Sequence, residues 1–126
     1  MSRFVQTFAA LVLAPSALGA NLIASHFAGG IYSLSLASTN CTSGTLSITS
    51  QTTGCGVTPG WIELYSDSRK LYCFDESWLG SGSSAEFTVA NDGRLSLTGQ
   101  LKTTGNSVHG LLYGGSDGRG FVATAE

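Results

Sequence analysis

Three short turns, Asp67-Ser68-Arg69, Asp92-Gly93-Arg94 and Asp117-Gly118-Arg119, recur 25 residues apart, and this interval constrains the chain more than any other feature. Asp-Gly between apolar runs marks a β-hairpin, because glycine enters positive φ without steric cost and aspartate can bond its own backbone. The flanks fit that reading. "WIELY" and "KLYCF" face each other across the first turn, "AEFTVA" and "RLSLTGQL" across the second, "GLLYG" and "GFVATA" across the third. Apolar residues alternate with a period of two, as in Phe87, Val89 and Leu95, Leu97. Two hairpins per 50 residues predict four strands per repeating unit.

The whole unit repeats, turns included. "SDGRGFVATAE" (116–126) lies over "SDSRKLYCFDE" (66–76), matching Ser116 to Ser66, Asp117 to Asp67, Arg119 to Arg69 and Glu126 to Glu76. "PGWI" (59–62) lies over "HGLL" (109–112), and "LIASHFA" precedes "LYCFDES" by some fifty residues in the same phase. A looser echo joins "GTLSI" to "GRLSL". Four antiparallel strands at this period predict the blades of a β-propeller. A small β-sandwich also has short strands and regular turns, but it would not repeat the four-strand unit.

The expected fold is therefore all-β, an incomplete propeller. Blade 1 would be partial over 21–51, with three strands beginning at Asn21. Blade 2 would span 59–101, with strands at 60–66, 69–75, 84–90 and 94–101, and blade 3 would start over 108–126 with two strands. Such a chain leaves sheet faces and strand edges open. The expectation is thus that Glu126 interrupts a longer protein.

Composition agrees with a folded chain: 42% of residues are hydrophobic and 11% charged, which excludes a charge-rich disordered segment. The net charge of −2, without runs, gives no footprint for nucleic acid or an anionic membrane. Residues 1–19 have the layout of a secretory signal peptide, with Arg3, an apolar stretch, Pro15 and then small residues before cleavage after Gly19 or Ala20. The apolar stretch falls short of the roughly 20 residues that span a bilayer. A secreted product is expected, without a membrane partner. Asn40-Cys41-Thr42 is an acceptor pattern for N-glycosylation. Cys41, Cys55 and Cys73 match no zinc spacing, so a structural disulfide is expected among them, with the pairing open and one cysteine left over.

Candidate chemistry is sparse. His109 precedes an expected inner strand, where it could shuttle a proton or donate to a carboxylate, although a loop histidine bonded to backbone is the blander reading. Asp75-Glu76 is the acidic element expected at the rim, with Glu76 the candidate of the two. His26 reads as a satisfied edge histidine and Trp61 as a core residue, while an exposed Trp78 could stack on a sugar. Asp67, Asp92 and Asp117 read as turn formers. No nucleophile elbow, metalloprotease helix or phosphate loop is present, and no metal or cofactor is expected.

"TTGCGVTPGWIELYSDSRKLYCFDE" and "SVHGLLYGGSDGRGFVATAE" resemble the first blades of the secreted fungal branch of the lactonase family. Those proteins are seven-bladed propellers similar to 3-carboxy-cis,cis-muconate cyclase and bacterial 6-phosphogluconolactonase. The family motif, a small-residue loop with Pro or His, a strand, Asp-x-x-Arg and an apolar strand, is matched by residues 59–76 and 109–126. The resemblance implies a parent that forms or opens a lactone on a small carboxylated substrate. It also implies catalytic histidine, glutamate and arginines on later blades, so none is carried onto this chain and the chain alone is expected to be inactive. The alternative reading is a small secreted β-rich binding or interaction protein without catalysis.

Overall fold

A computed structural model of the chain describes residues 18–40, 42–78, 80–103, 106–114 and 120–125. Within them all regular structure is β. The first sheet holds β1 (Leu18–His26), β2 (Gly30–Asn40) and β3 (Ser43–Thr52) in that order. The second holds β4 (Pro59–Tyr65), β5 (Lys70–Asp75), β6 (Ser83–Val89) and β7 (Leu95–Lys102), again in chain order. The third pairs β8 (His109–Gly114) with β9 (Gly120–Ala125). Every pairing is antiparallel. Three, four and two strands are the division that the turn spacing predicts. β1 starts at Leu18, upstream of the expected Asn21. Residues 1–17, Cys41, the Asp117-Gly118-Arg119 turn and Glu126 lie outside the described residues.

The turns show how glycine and aspartate divide the work. Gly93 has φ 83°, and Asp92 accepts from the Arg94 backbone N–H at 3.1 Å and from its Nε at 2.7 Å. The equivalent of Gly93 in the preceding turn is Ser68, which cannot take positive φ cheaply. There the left-handed conformation falls on Arg69, at φ 55°, held by its Nε donating to the Val89 carbonyl at 3.0 Å. Among the described residues the Asp67 carboxylate accepts from the Ser66 hydroxyl, at 3.5 Å, and not from the backbone of its own turn as Asp92 does.

Alternation in the second sheet sends two sets of side chains to opposite faces. Leu71, Cys73, Ala85 and Phe87 point toward the first sheet and are buried with Ile31 and Cys55, while Ile23, Ile62, Val89 and Leu95 pack around them. Cys55 and Cys73 form the disulfide, with Cα atoms 5.7 Å apart, pinning the 53–58 loop to β5. Polar contacts join the sheets at the margin of this core. The Ser33 hydroxyl donates to the Gly93 carbonyl at 2.8 Å, and Asn21 Nδ2 to the Asn91 carbonyl at 3.4 Å. On the opposite face Phe74, fully buried, meets Gly110 of β8.

The pairing registers place the first two sheets at the 49-residue offset by which "LIASHFA" and "GTLSI" precede "LYCFDES" and "GRLSL". Leu71 pairs with Phe87 and Phe87 with Leu97, next to a bulge at Glu86/Phe87. In the first sheet Leu22 pairs with Leu34 and Leu34 with Ile48, next to a bulge at Ser33/Leu34. The rows are equivalent, so Leu22 and Ile48 precede Leu71 and Leu97 by 49 residues. A one-residue change of register exchanges the faces of a strand. Hence Ile23, like its equivalent Tyr72, looks toward the following sheet. The row Leu22–Leu34–Ile48 looks the other way, and Leu46 and Ile48 are exposed.

Candidate functional site at one end of the sheets

β1 ends, β4 begins, β5 ends and β8 begins at the same end of the molecule, as the pairings Pro59 with Asp75 and His109 with Ala125 require. The sequence candidates His26, Glu76, Trp61, Trp78 and His109 therefore gather there, across three sheets. The described arginines do not: the Arg69 and Arg94 turns close the opposite end.

Asp75 and Glu76, neighbours in sequence, have different surroundings. Asp75 is 4% exposed, and its Oδ1 accepts from the Thr58 N–H at 2.8 Å, the Thr58 hydroxyl at 2.9 Å and the Ser77 N–H at 3.4 Å. It is a structural clamp that ties the disulfide loop to the end of β5. Glu76 is half-buried; its N–H donates to the Thr58 carbonyl at 2.9 Å, while Oε1 accepts the indole N–H of Trp78 at 2.9 Å. A β-carbon on Gly60 would approach Glu76 Oε2 to 2.9 Å, so the bare backbone at Gly60 makes room for the carboxylate.

Trp61 corrects the expectation of a core residue. It is 36% exposed, and its ring lies 4.6 Å from that of His109 with the planes tilted by 53°. Register explains this: Trp61 pairs with Phe74 on the face turned away from the apolar cluster, where β8 is its cover. Trp78 is exposed, as its loop position suggests. His26 accepts the Ala28 N–H on Nδ1 at 3.1 Å, the local satisfaction expected of it. Among the described residues Glu76 makes no ion pair with either histidine, and no cluster of His, Cys, Asp and Glu could hold a metal ion. Asn40 ends β2, and its partner residue in the acceptor pattern, Cys41, is outside the described residues.

A polar group that the sequence did not single out lies on the same face as Trp61 and Phe74. Lys70 pairs with Glu86, which also accepts from the Tyr72 hydroxyl at 3.0 Å and the Thr98 hydroxyl at 2.7 Å. The Lys70 ammonium holds the Glu86 carboxyl below its ordinary range. Burial first, then the bond to Glu86, pushes the Tyr72 phenol up to about 12. Registers Lys70–Thr88 and Tyr72–Glu86 create this group, and cross-strand register is not readable from either strand alone.

Residues 21–126 match the model of a family described as lactonase, 7-bladed beta-propeller. Neither curated proteins nor solved structures gave a match.

Proposed function

The chain belongs to the lactonase family of seven-bladed β-propellers, and from that premise we propose that it supplies blades to a secreted propeller acting on a lactone or its open acid. The substrate is a small carboxylated molecule of the 3-carboxy-cis,cis-muconate kind. The match over residues 21–126 is the observation that carries this reading. In ring closure of a muconate-type acid a substrate carboxylate oxygen bonds to an alkene carbon and the neighbouring carbon takes a proton, and elimination reverses this; a sugar-type lactone opens by addition of water to its carbonyl, the ring oxygen leaving as an alcohol. The chemistry needs an acid or base for the proton and cations for the enolate-like charge that develops.

Glu76 and His109 are this chain's candidates for the rim, with His109 held against Trp61. Neither Lys nor Arg is bonded to them among the described residues, so the cations are proposed to come from further blades. Secretion is proposed from the layout of residues 1–19. No nucleic-acid or membrane partner is proposed: the net charge is −2, and among the described residues no helix is long and apolar enough to cross a membrane. The test is an assay of the assembled seven-bladed protein for lactone formation and opening on muconate-type and sugar-type substrates, beside the 126 residues alone. Turnover by the assembled protein only is expected. Turnover by the 126 residues alone, or an assembled protein inert to both substrate types, overturns the proposal.

A further inference from the structure

We propose that the notch between the first two sheets, at the end that carries Glu76, binds a neutral hydroxylated ring such as a sugar presents. This goes beyond lactone chemistry, because that reaction needs cations and this notch offers none. The cavity has a volume of about 160 Å³ and is bounded by Ser25, His26, Phe27, Pro59 and Gly60. At roughly 30 Å³ per water it has room for about five waters, the scale of one six-membered ring.

Its lining combines the two components such a ligand requires. Phe27, 61% exposed, supplies apolar surface for the C–H face of a ring, and the buried Pro59 forms the floor beneath it. Ser25 supplies a hydroxyl that can donate or accept. His26 already accepts the Ala28 N–H on Nδ1, so the neutral imidazole carries its proton on Nε2 and has a donor left. Behind Gly60 stands Glu76 Oε2, an acceptor for a ligand hydroxyl. The Trp78 indole N–H occupies Oε1, which fixes the carboxylate and sets an exposed indole beside it.

Charge selects for neutrality. Glu76 is the carboxylate beside the notch, and the described cations lie elsewhere: Arg69, Lys70 and Arg94 at the opposite end, Lys102 at the end of edge strand β7. A carboxylated ring would meet Glu76 without compensation.

The experiment titrates the purified full chain with methyl β-glucoside and with glucuronate, read by tryptophan fluorescence and NMR shifts. The glucoside should bind, and glucuronate should bind about tenfold or more weakly, the scale of one lost hydrogen bond. Glu76→Gln should close most of that gap by removing the charge, and should itself weaken the glucoside, because the one amide oxygen stays with the Trp78 indole N–H and the amide nitrogen beside Gly60 no longer accepts. His26→Ala and Phe27→Ala should each weaken the glucoside about tenfold, and Phe27→Tyr should restore it. Phe27 is an exposed turn residue, so these variants keep the fold, checked by circular dichroism and an intact Cys55–Cys73 bond. Absence of glucoside binding, equal binding of glucuronate, or indifference to both alanine variants overturns the proposal. Binding is read at equilibrium without turnover, so its failure and that of the lactone reading are separable.

Discussion

Gly110 and Phe74 approach so closely that a β-carbon on Gly110 would lie 2.1 Å from Cζ of the Phe74 ring. The third sheet can lie against the second because one residue lacks a side chain where the other is fully buried. Gly110→Ala is expected to destabilise the fold by about 1–3 kcal/mol, the cost of overpacking a close contact. Phe74→Leu in the same chain should recover part of that loss. Urea unfolding of the two single variants and the double variant measures the coupling. Additive effects would mean that the contact is not what excludes the methyl group.

Gly56 and Gly80 form a natural pair for separating backbone strain from crowding. Their φ angles are 134° and 139°, but a β-carbon on Gly56 would meet Asp75 Oδ2 at 2.2 Å, whereas one on Gly80 would meet nothing within 4 Å. Gly80→Ala should cost about 1–3 kcal/mol, from conformation alone. Gly56→Ala should cost more and should weaken protection of the Thr58 amide in hydrogen exchange, because that N–H depends on Asp75. Equal losses in stability would remove the clamp role given to Asp75.

The Glu86 group predicts pH dependence at both extremes. Glu86 has a depressed folded pKa, so its contribution is present above the unfolded value near 4.5 and is lost as pH falls through the folded one. Tyr72 has a raised folded pKa, so its contribution is present below 10.0 and is lost as pH rises toward about 12. Glu86→Gln should flatten the acid limb of a stability–pH curve and lower the Tyr72 titration seen by ultraviolet absorbance. An unchanged tyrosine titration would show that burial alone sets it.

The disulfide closes a loop of 18 residues between the disulfide loop and β5. Replacing Cys55 and Cys73 together by alanine should lower stability by about 3 kcal/mol, the loop-closure effect at this length. Peptide mapping without reductant should recover residues 55 and 73 in one linked fragment.

Much of the fold was legible because the turns repeat. Asp92-Gly93-Arg94 and its relatives set hairpin positions, and hairpins set strand order. Register was less legible. A bulge at Pro59/Trp61 changes pairing without changing composition, so the face of Trp61 emerged only from the pairing. Within the site, His26, Glu76, Trp78 and His109 were visible as residue types, while the role of Asp75 was not. Its difference from Glu76 is one of burial, and adjacent residues on a strand end differ in burial for reasons that lie in the loop folded over them.

The one-residue shortfall of the first repeat has a consequence for anyone who rearranges this protein by modules. Laying the first sheet on the second at a fixed 50-residue offset would assign Leu22 and Ile48 to the side where Ile23 belongs. A cut made at the bulges keeps each row on its own side. For blade shuffling or duplication, the reliable ruler is therefore the hydrogen-bond register, and the residue count is only its approximation.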